Sequence, residues 1–171
     1  MNPPDGVIRA KLKRSDSVAE PLLNFGSRGG VRCLEVGAHL IWVGFDSGTL
    51  ATVRFAFDCK AFKLELTSHP LYLRAHKGPI NSITTSSEFG IAVTAGFDSN
   101  CVVWDMVKNS YPTYIRTINV GTESSVPYLV QVSKTSGDIA VVTTTTAPGM
   151  ATNAILFSWL FRCLIIKGSD T

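Results

Sequence analysis

Gly44-Phe45-Asp46-Ser47 is spelled out a second time as Gly96-Phe97-Asp98-Ser99, 52 positions later. Each copy follows a Val-containing run and precedes another apolar run. A second marker, Tyr72-Leu73-Arg74, returns as Tyr114-Ile115-Arg116 after 42 positions. The unequal spacings are what an insertion produces, and the connection 58–70 of the first unit is where it falls. Self-similarity at this period confines the chain to repeat architectures, in which no unit buries its apolar face alone and each stacks on its neighbours.

The runs between these markers are short and rich in Val, Ile, Leu, Thr and aromatic residues. They cover 31–36, 40–44, 49–57, 71–74, 80–84, 91–95, 101–105, 114–118, 126–132 and 138–144, with Gly, Asp, Ser and Asn between them. Such a pattern, with no amphipathic helical stretch, predicts an all-β chain. Asp46-Ser47-Gly48 and Asp98-Ser99-Asn100 supply hairpin turns with residues that tolerate positive φ. A third unit begins near Val126. Four strands per unit at about 45 residues is the pattern of a β-propeller blade. The expected organisation is a flexible basic approach segment at 1–30, blades at about 31–74, 75–121 and 122–158, and an apolar tail at 159–171.

Composition narrows the function classes. Hydrophobic residues are 45% and charged residues 17% of the chain, enough apolar material for a core. The net charge of +3 comes from the residues before Cys33, because ten basic and ten acidic residues follow it. A neutral body does not match a nucleic-acid-binding domain, whose cations cluster on one face. The cysteines at 33, 59, 101 and 163 form no C-x-x-C pair and read as free thiols in a reducing compartment. No signal-peptide run opens the sequence, and the apolar stretch 154–166, interrupted by Arg162, falls short of the roughly 20 residues a membrane-spanning helix needs. There is no G-x-S-x-G, H-E-x-x-H, P-loop or G-x-G-x-x-G, so the expectation is no enzyme, no cofactor and no metal site.

The middle unit resembles a WD repeat. Ala75-His76 stands where that family has Gly-His, Val103-Trp104-Asp105 where it has a hydrophobic-Trp-Asp ending, and Thr94 and Asp98 fall ten and six residues before Trp104. The resemblance implies a partial WD-repeat β-propeller, and a structural relay in which Asp98 accepts from His76, His76 meets the Thr94 hydroxyl, and Thr94 accepts from the Trp104 indole. Aligned on the tetrapeptide, the first unit puts Trp42 at the Thr94 position and Thr52 at the Trp104 position, and so lacks the relay. The third has Gly121-Thr122-Glu123 in place of the His, with Phe157 or Trp159 for the Trp. Two further stretches, 86–96 (SSEFGIAVTAG) and 133–142 (SKTSGDIAVV), are similar to segments of the C-terminal WD repeats of BEACH-family proteins, of the lysosomal-trafficking-regulator or FYVE-containing BEACH type. The BEACH domain itself has no counterpart in these residues, and the sequence beyond about Ser158 departs from the family.

The resemblance implies a non-catalytic scaffold that binds other proteins through its propeller rim, in vesicle or lysosome-related trafficking. The implied location is the cytoplasm, with peripheral association at endosomal or lysosomal membranes. Lys77, Phe97 and Tyr111 are the candidate contact residues; Phe97 precedes Asp98 in a turn as Phe45 precedes Asp46, and the alternative to a partner contact there is a packed turn. The alternative is a peripheral membrane protein that uses the basic arm and the apolar tail. Three blades do not close a ring, so both terminal blades are expected to expose apolar faces and to favour self-association.

Overall fold

Each of the ten apolar runs is a strand. The computed structural model describes residues 7–9, 21–25, 28–37, 39–60, 63–106, 111–120, 125–145, 153–157 and 163–166. Its strands are β1 (Val7–Arg9), β2 (Pro21–Asn24), β3 (Val31–Val36), β4 (Leu40–Phe45), β5 (Thr49–Asp58), β6 (Lys63–Leu66), β7 (Leu71–Arg74), β8 (Ile80–Ser86), β9 (Ile91–Gly96), β10 (Asn100–Asp105), β11 (Thr113–Asn119), β12 (Ser125–Val132), β13 (Ile139–Thr145), β14 (Asn153–Phe157) and β15 (Cys163–Ile166). No helix occurs among the described residues.

The strands form three antiparallel meanders: β3-β4-β5-β7, β8-β9-β10-β11 and β12-β13-β14-β15. In the first sheet, Thr49–Thr52 of β5 pair with β7, while Phe55–Asp58 pair with β6. The 58–70 insertion is therefore a hairpin built on the far half of one long strand. The third sheet gains its last two strands from 153–157, within the expected third blade, and from 163–166, where an apolar tail was expected. A stretch that is apolar at nearly every position carries no period-two signal, which hides paired strands from a pattern reading. Two strands also fall within the first 30 residues, where β1 pairs with β2. Three- and four-residue strands are too short to show a period.

A shared defect aligns the three sheets. The opening strand of each carries a one-residue bulge, between Val31 and Cys33, between Ile80 and Ser82, and between Pro127 and Leu129. Pairing across the bulge makes Phe45, Gly96 and Thr143 equivalent, and likewise Val43, Thr94 and Val141.

This register corrects the alignment of the repeated tetrapeptides. In the first sheet Gly44 pairs with Leu50, closing a loop over 45–49. In the second, Ala95 pairs with Cys101, closing a loop over 96–100. The fourth residue of each loop has left-handed backbone, Gly48 at φ 79° and Ser99 at φ 61°. The two copies of Gly-Phe-Asp-Ser thus sit one residue out of step, and a one-residue step in a strand turns every side chain to the other face. Val43, not Trp42, occupies the place of Thr94, and Val53, not Thr52, that of Trp104. Trp42 and Thr52 face the second sheet instead.

Apolar side chains fill the junctions. Trp42 and Leu50 pack with Ile80, Ile83, Ala92, Val102 and Trp104 between the first and second sheets. Ile91, Val93, Ala95, Cys101 and Val103 pack with Val130, Val132, Ile139 and Val141 between the second and third. The opening strands are also tied by hydrogen bonds. The Cys33 thiol donates to Ile80 O (3.4 Å), the Thr85 hydroxyl to Glu35 Oε1 (3.1 Å), the Asn81 amide to Pro127 O (2.9 Å), and Val130 N–H to Ser82 Oγ (3.2 Å).

The outer face of the first sheet was expected to lie open. It is buried: Ile41, Val43, Phe45, Ala51 and Val53 are each at most 5% exposed and share a cluster with Phe25. Phe25 meets Phe45 edge-on with ring centroids 5.3 Å apart, and the Arg28 guanidinium lies 3.9 Å over the Tyr72 ring. One aromatic residue just beyond β2 stands where a preceding sheet would pack.

Candidate functional site

The second sheet brings four polar side chains from four places in the sequence into one chain of hydrogen bonds. The Trp104 indole N–H on β10 donates to Thr94 Oγ1 on β9 at 3.2 Å. Thr94 Oγ1 lies 2.9 Å from His76 Nε2, and His76 Nδ1 lies 2.9 Å from Asp98 Oδ1 in the β9–β10 turn. The second Asp98 oxygen accepts the Lys77 N–H at 2.9 Å. The indole can only donate and an ionised carboxylate only accept. In a neutral imidazole the proton then sits on Nδ1, toward Asp98, and Nε2 accepts the Thr94 hydroxyl proton.

Burial makes this arrangement consequential. The His76 side chain is 0% exposed, Thr94 is fully buried, and Trp104 is 5% exposed. Each group left unpaired there would cost about 1–3 kcal/mol, which is the penalty the chain of bonds avoids. Burial works against ionisation of Asp98, but the Lys77 N–H and the His76 ring bond outweigh it and hold the carboxyl below its ordinary range. Both His76 nitrogens are engaged, which leaves none to meet a substrate or a metal. Among the described residues no group of three or more His, Cys, Asp and Glu is placed to hold a metal ion.

Gly96 makes room for the ring. A Cβ there would lie 2.2 Å from His76 Nδ1, so only glycine tolerates the close approach. The repeated tetrapeptide marks this glycine in the sequence, but its equivalent in the first sheet is Phe45. Gly48, one of the turn residues expected to take positive φ, also supports the histidine. Its carbonyl accepts from the N–H groups of both Ala75 (3.2 Å) and His76 (3.1 Å), and a Cβ at Gly48 would meet His76 O at 2.2 Å. The turn of the first sheet therefore seats the histidine of the second.

In the first sheet the same framework carries other chemistry. Asp46 N–H donates to Gly30 O at 3.0 Å, as Phe97 N–H does to Pro79 O at 2.8 Å. Ser47 stands at the place of Asp98, and its hydroxyl donates to Arg28 O at 3.1 Å. Trp42 Nε1 and Thr52 Oγ1 are buried without a hydrogen-bond partner. The first unit lacks the relay, as expected from Trp42 and Thr52, although those two residues are not the ones at the relay positions.

The candidate contact residues divide by place. Lys77 and Phe97 are exposed beside Asp98 (Phe97 at 53%), next to a cavity of about 250 Å³ lined by Arg74, Asn100 and Thr117 among others. Tyr111 is exposed too, but precedes β11 at the opposite end of the sheet, where Asp105 pairs with Thr113. Phe45 and Phe97, each before an aspartate, differ in exposure. Phe45 is fully buried, because the loop register gives it the face that Gly96 has and leaves Asp46 at the exposed place of Phe97.

Three cysteines are free thiols: Cys33, Cys59 and Cys101. Burial pushes the Cys101 thiol up to about 12, aided by the negative charge of Asp98. Burial likewise raises Cys33 to about 11, against the opposing pull of the Gly44 backbone bond and the Arg32 charge. Neither forms a reactive thiolate near neutral pH. The expected contribution of Phe157 or Trp159 in the third unit lies outside the described side chains, as do Gly121, Thr122 and Glu123.

No family model matches the chain. Over 78 residues it is 44% identical to the Lysosomal-trafficking regulator of Drosophila melanogaster, a match that covers 44% of this chain and 2% of that protein. The chain thus spans a small fraction of the length of the relative it matches. No helix among the described residues is long and apolar enough to cross a membrane. What stands established is an all-β chain of antiparallel sheets, similar over nearly half its length to a regulator of lysosomal trafficking.

Proposed function

We propose that the chain is a non-catalytic protein-interaction scaffold, a WD-repeat propeller segment of BEACH-family type, acting in lysosome-related membrane trafficking. The observation that carries the trafficking assignment is the 44% identity to the Drosophila regulator. The propeller assignment is supported by three successive four-stranded meanders with one shared bulge position, and by the bonds that join His76, Asp98, Thr94 and Trp104. A rigid sheet stack that holds its polar groups internally offers its loops for contact, and Lys77 and Phe97 share one such rim.

Asn153–Phe157 and Cys163–Ile166, the apolar element of the membrane alternative, are paired into the third sheet. Proximity labelling from the 171-residue chain in cells tests the proposal. The expected result is enrichment of late-endosomal and lysosomal proteins, reduced by Lys77→Glu/Phe97→Ser without loss of fold. A labelling pattern equal to that of the free labelling enzyme would contradict it.

A further inference from the structure

The cavity of about 250 Å³ beside the His76–Asp98 pair is lined by Arg74, Lys77, Asp98, Val102 and Thr117 among others. Arg74 ends β7, Lys77 lies in the connection to β8, and Thr117 is on β11. These three residues are exposed, and the buried Val102 gives the lining an apolar part. Among the described residues neither the Arg74 guanidinium nor the Lys77 ammonium forms an ion pair. The carboxylate beside them is already engaged, since Asp98 Oδ1 meets His76 Nδ1 and Oδ2 accepts the Lys77 N–H. The Thr117 hydroxyl can accept from Tyr114 at 3.2 Å and keep its own proton for a ligand. Two cations with unused donors and a hydroxyl around one cavity are the groups that recognise an anion. Their backbone is held before any ligand arrives. Arg74 pairs with Thr49, the N–H groups of Ala75 and His76 bond to Gly48 O, and that of Lys77 bonds to Asp98, which lowers the ordering cost of binding.

We propose that this cavity binds the carboxylate of a glutamate or aspartate side chain presented by a protein partner. The inference rests on the scaffold reading above and names the chemistry of its partner. Size selects a side chain, because about 250 Å³ falls below the roughly 300–1,000 Å³ of sites that enclose a small molecule. Charge selects a carboxylate. The Asp98 carboxyl is held below its ordinary range and is ionised near neutral pH, so the two cations and this one anion leave a surplus of a single positive charge. A carboxylate cancels that surplus, and its two oxygens match the paired N–H donors of a guanidinium. A phosphomonoester carries about −1.5 to −2 at neutral pH and would leave negative charge facing Asp98.

NMR titration of the isotope-labelled 171-residue chain, followed at the Lys77 and Thr117 amides, tests the site. The probes are the end-blocked tripeptides Gly-Glu-Gly, Gly-Gln-Gly and Gly-phosphoserine-Gly. The expected result is a saturable shift with Gly-Glu-Gly and none with Gly-Gln-Gly. Arg74→Gln and Lys77→Gln, at exposed positions, should each raise the dissociation constant by about tenfold or more while circular dichroism is unchanged. No shift with Gly-Glu-Gly, an equal shift with Gly-Gln-Gly, or an affinity that neither substitution changes would each overturn the proposal. Binding of Gly-phosphoserine-Gly tighter by about tenfold would overturn it in favour of a phosphorylated partner. The titration and the labelling experiment fail separately: peptide binding without lysosomal enrichment contradicts the trafficking assignment alone, and enrichment without peptide binding contradicts this site alone.

Discussion

In the second sheet the space beneath the β9–β10 turn holds the His76 ring, and Gly96 offers no side chain to compete for it. In the first sheet Phe45 stands at the place of Gly96, and Phe25 packs edge-on against it at 5.3 Å. The two sheets share bulge, register and turn, yet one fills its face with a hydrogen-bonded chain and the other with edge-on aromatics. The architecture is thus indifferent to the filling, provided each buried polar atom on that face has a partner or is absent. The difference also shows where stability depends on geometry. Aromatic packing tolerates small shifts, whereas the His76 chain fails when any one donor or acceptor is removed.

The largest effect is expected at Trp104. Trp104→Ala removes a buried indole and takes from the Thr94 hydroxyl oxygen the donor it accepts from, costing about 4 kcal/mol in denaturant unfolding. Gly48→Ala is next, at about 3 kcal/mol, because it combines left-handed backbone with a collision against the carbonyl of His76. A cost near zero would show that the first sheet does not seat the histidine. Phe25→Ala is expected to cost a similar amount by opening a cavity against Phe45, and its cost should not vary between about pH 6 and about pH 3, across which carboxylates titrate.

Asp98 should behave in the opposite way. Its carboxyl is held below the ordinary carboxylate range in the fold, so the unfolded chain binds the proton first as pH falls. The stability it contributes is present above its unfolded-state value and is lost as pH drops through the lower folded-state value. Unfolding midpoints measured against pH should therefore decline on the acid side, and Asp98→Asn should flatten that decline. A wild-type profile that Asp98→Asn leaves unchanged would place the acid sensitivity elsewhere.

Much of this was legible in the sequence. The ten apolar runs mark ten strands, and the spacing of His76, Thr94, Asp98 and Trp104 names four residues that do lie within hydrogen-bond distance of one another. What the sequence concealed has physical causes. The tetrapeptide repeat implied that Phe45 and Phe97 play one role, but the loop of the first sheet closes one residue later, and alternation sends one ring inside and the other to solvent. The same slip put Trp42 and Thr52 at relay positions that Val43 and Val53 occupy. Strands β14 and β15 were hidden because a stretch without polar alternation looks alike as tail, helix or strand. The burial of Phe25 depends on a long-range contact that no local pattern encodes.

The smallest effects sharpen the comparison most, because they change one hydroxyl in each sheet. Thr94 sits between two buried partners, and Thr52 has none. Denaturant unfolding of Thr94→Val and Thr52→Val, measured side by side, is the direct test. The account predicts opposite signs: a loss of about 1–3 kcal/mol for Thr94→Val and a gain of up to about 1 kcal/mol for Thr52→Val. Equal changes of the same sign would contradict it, since the two sheets would then not differ in how their buried polar groups are held.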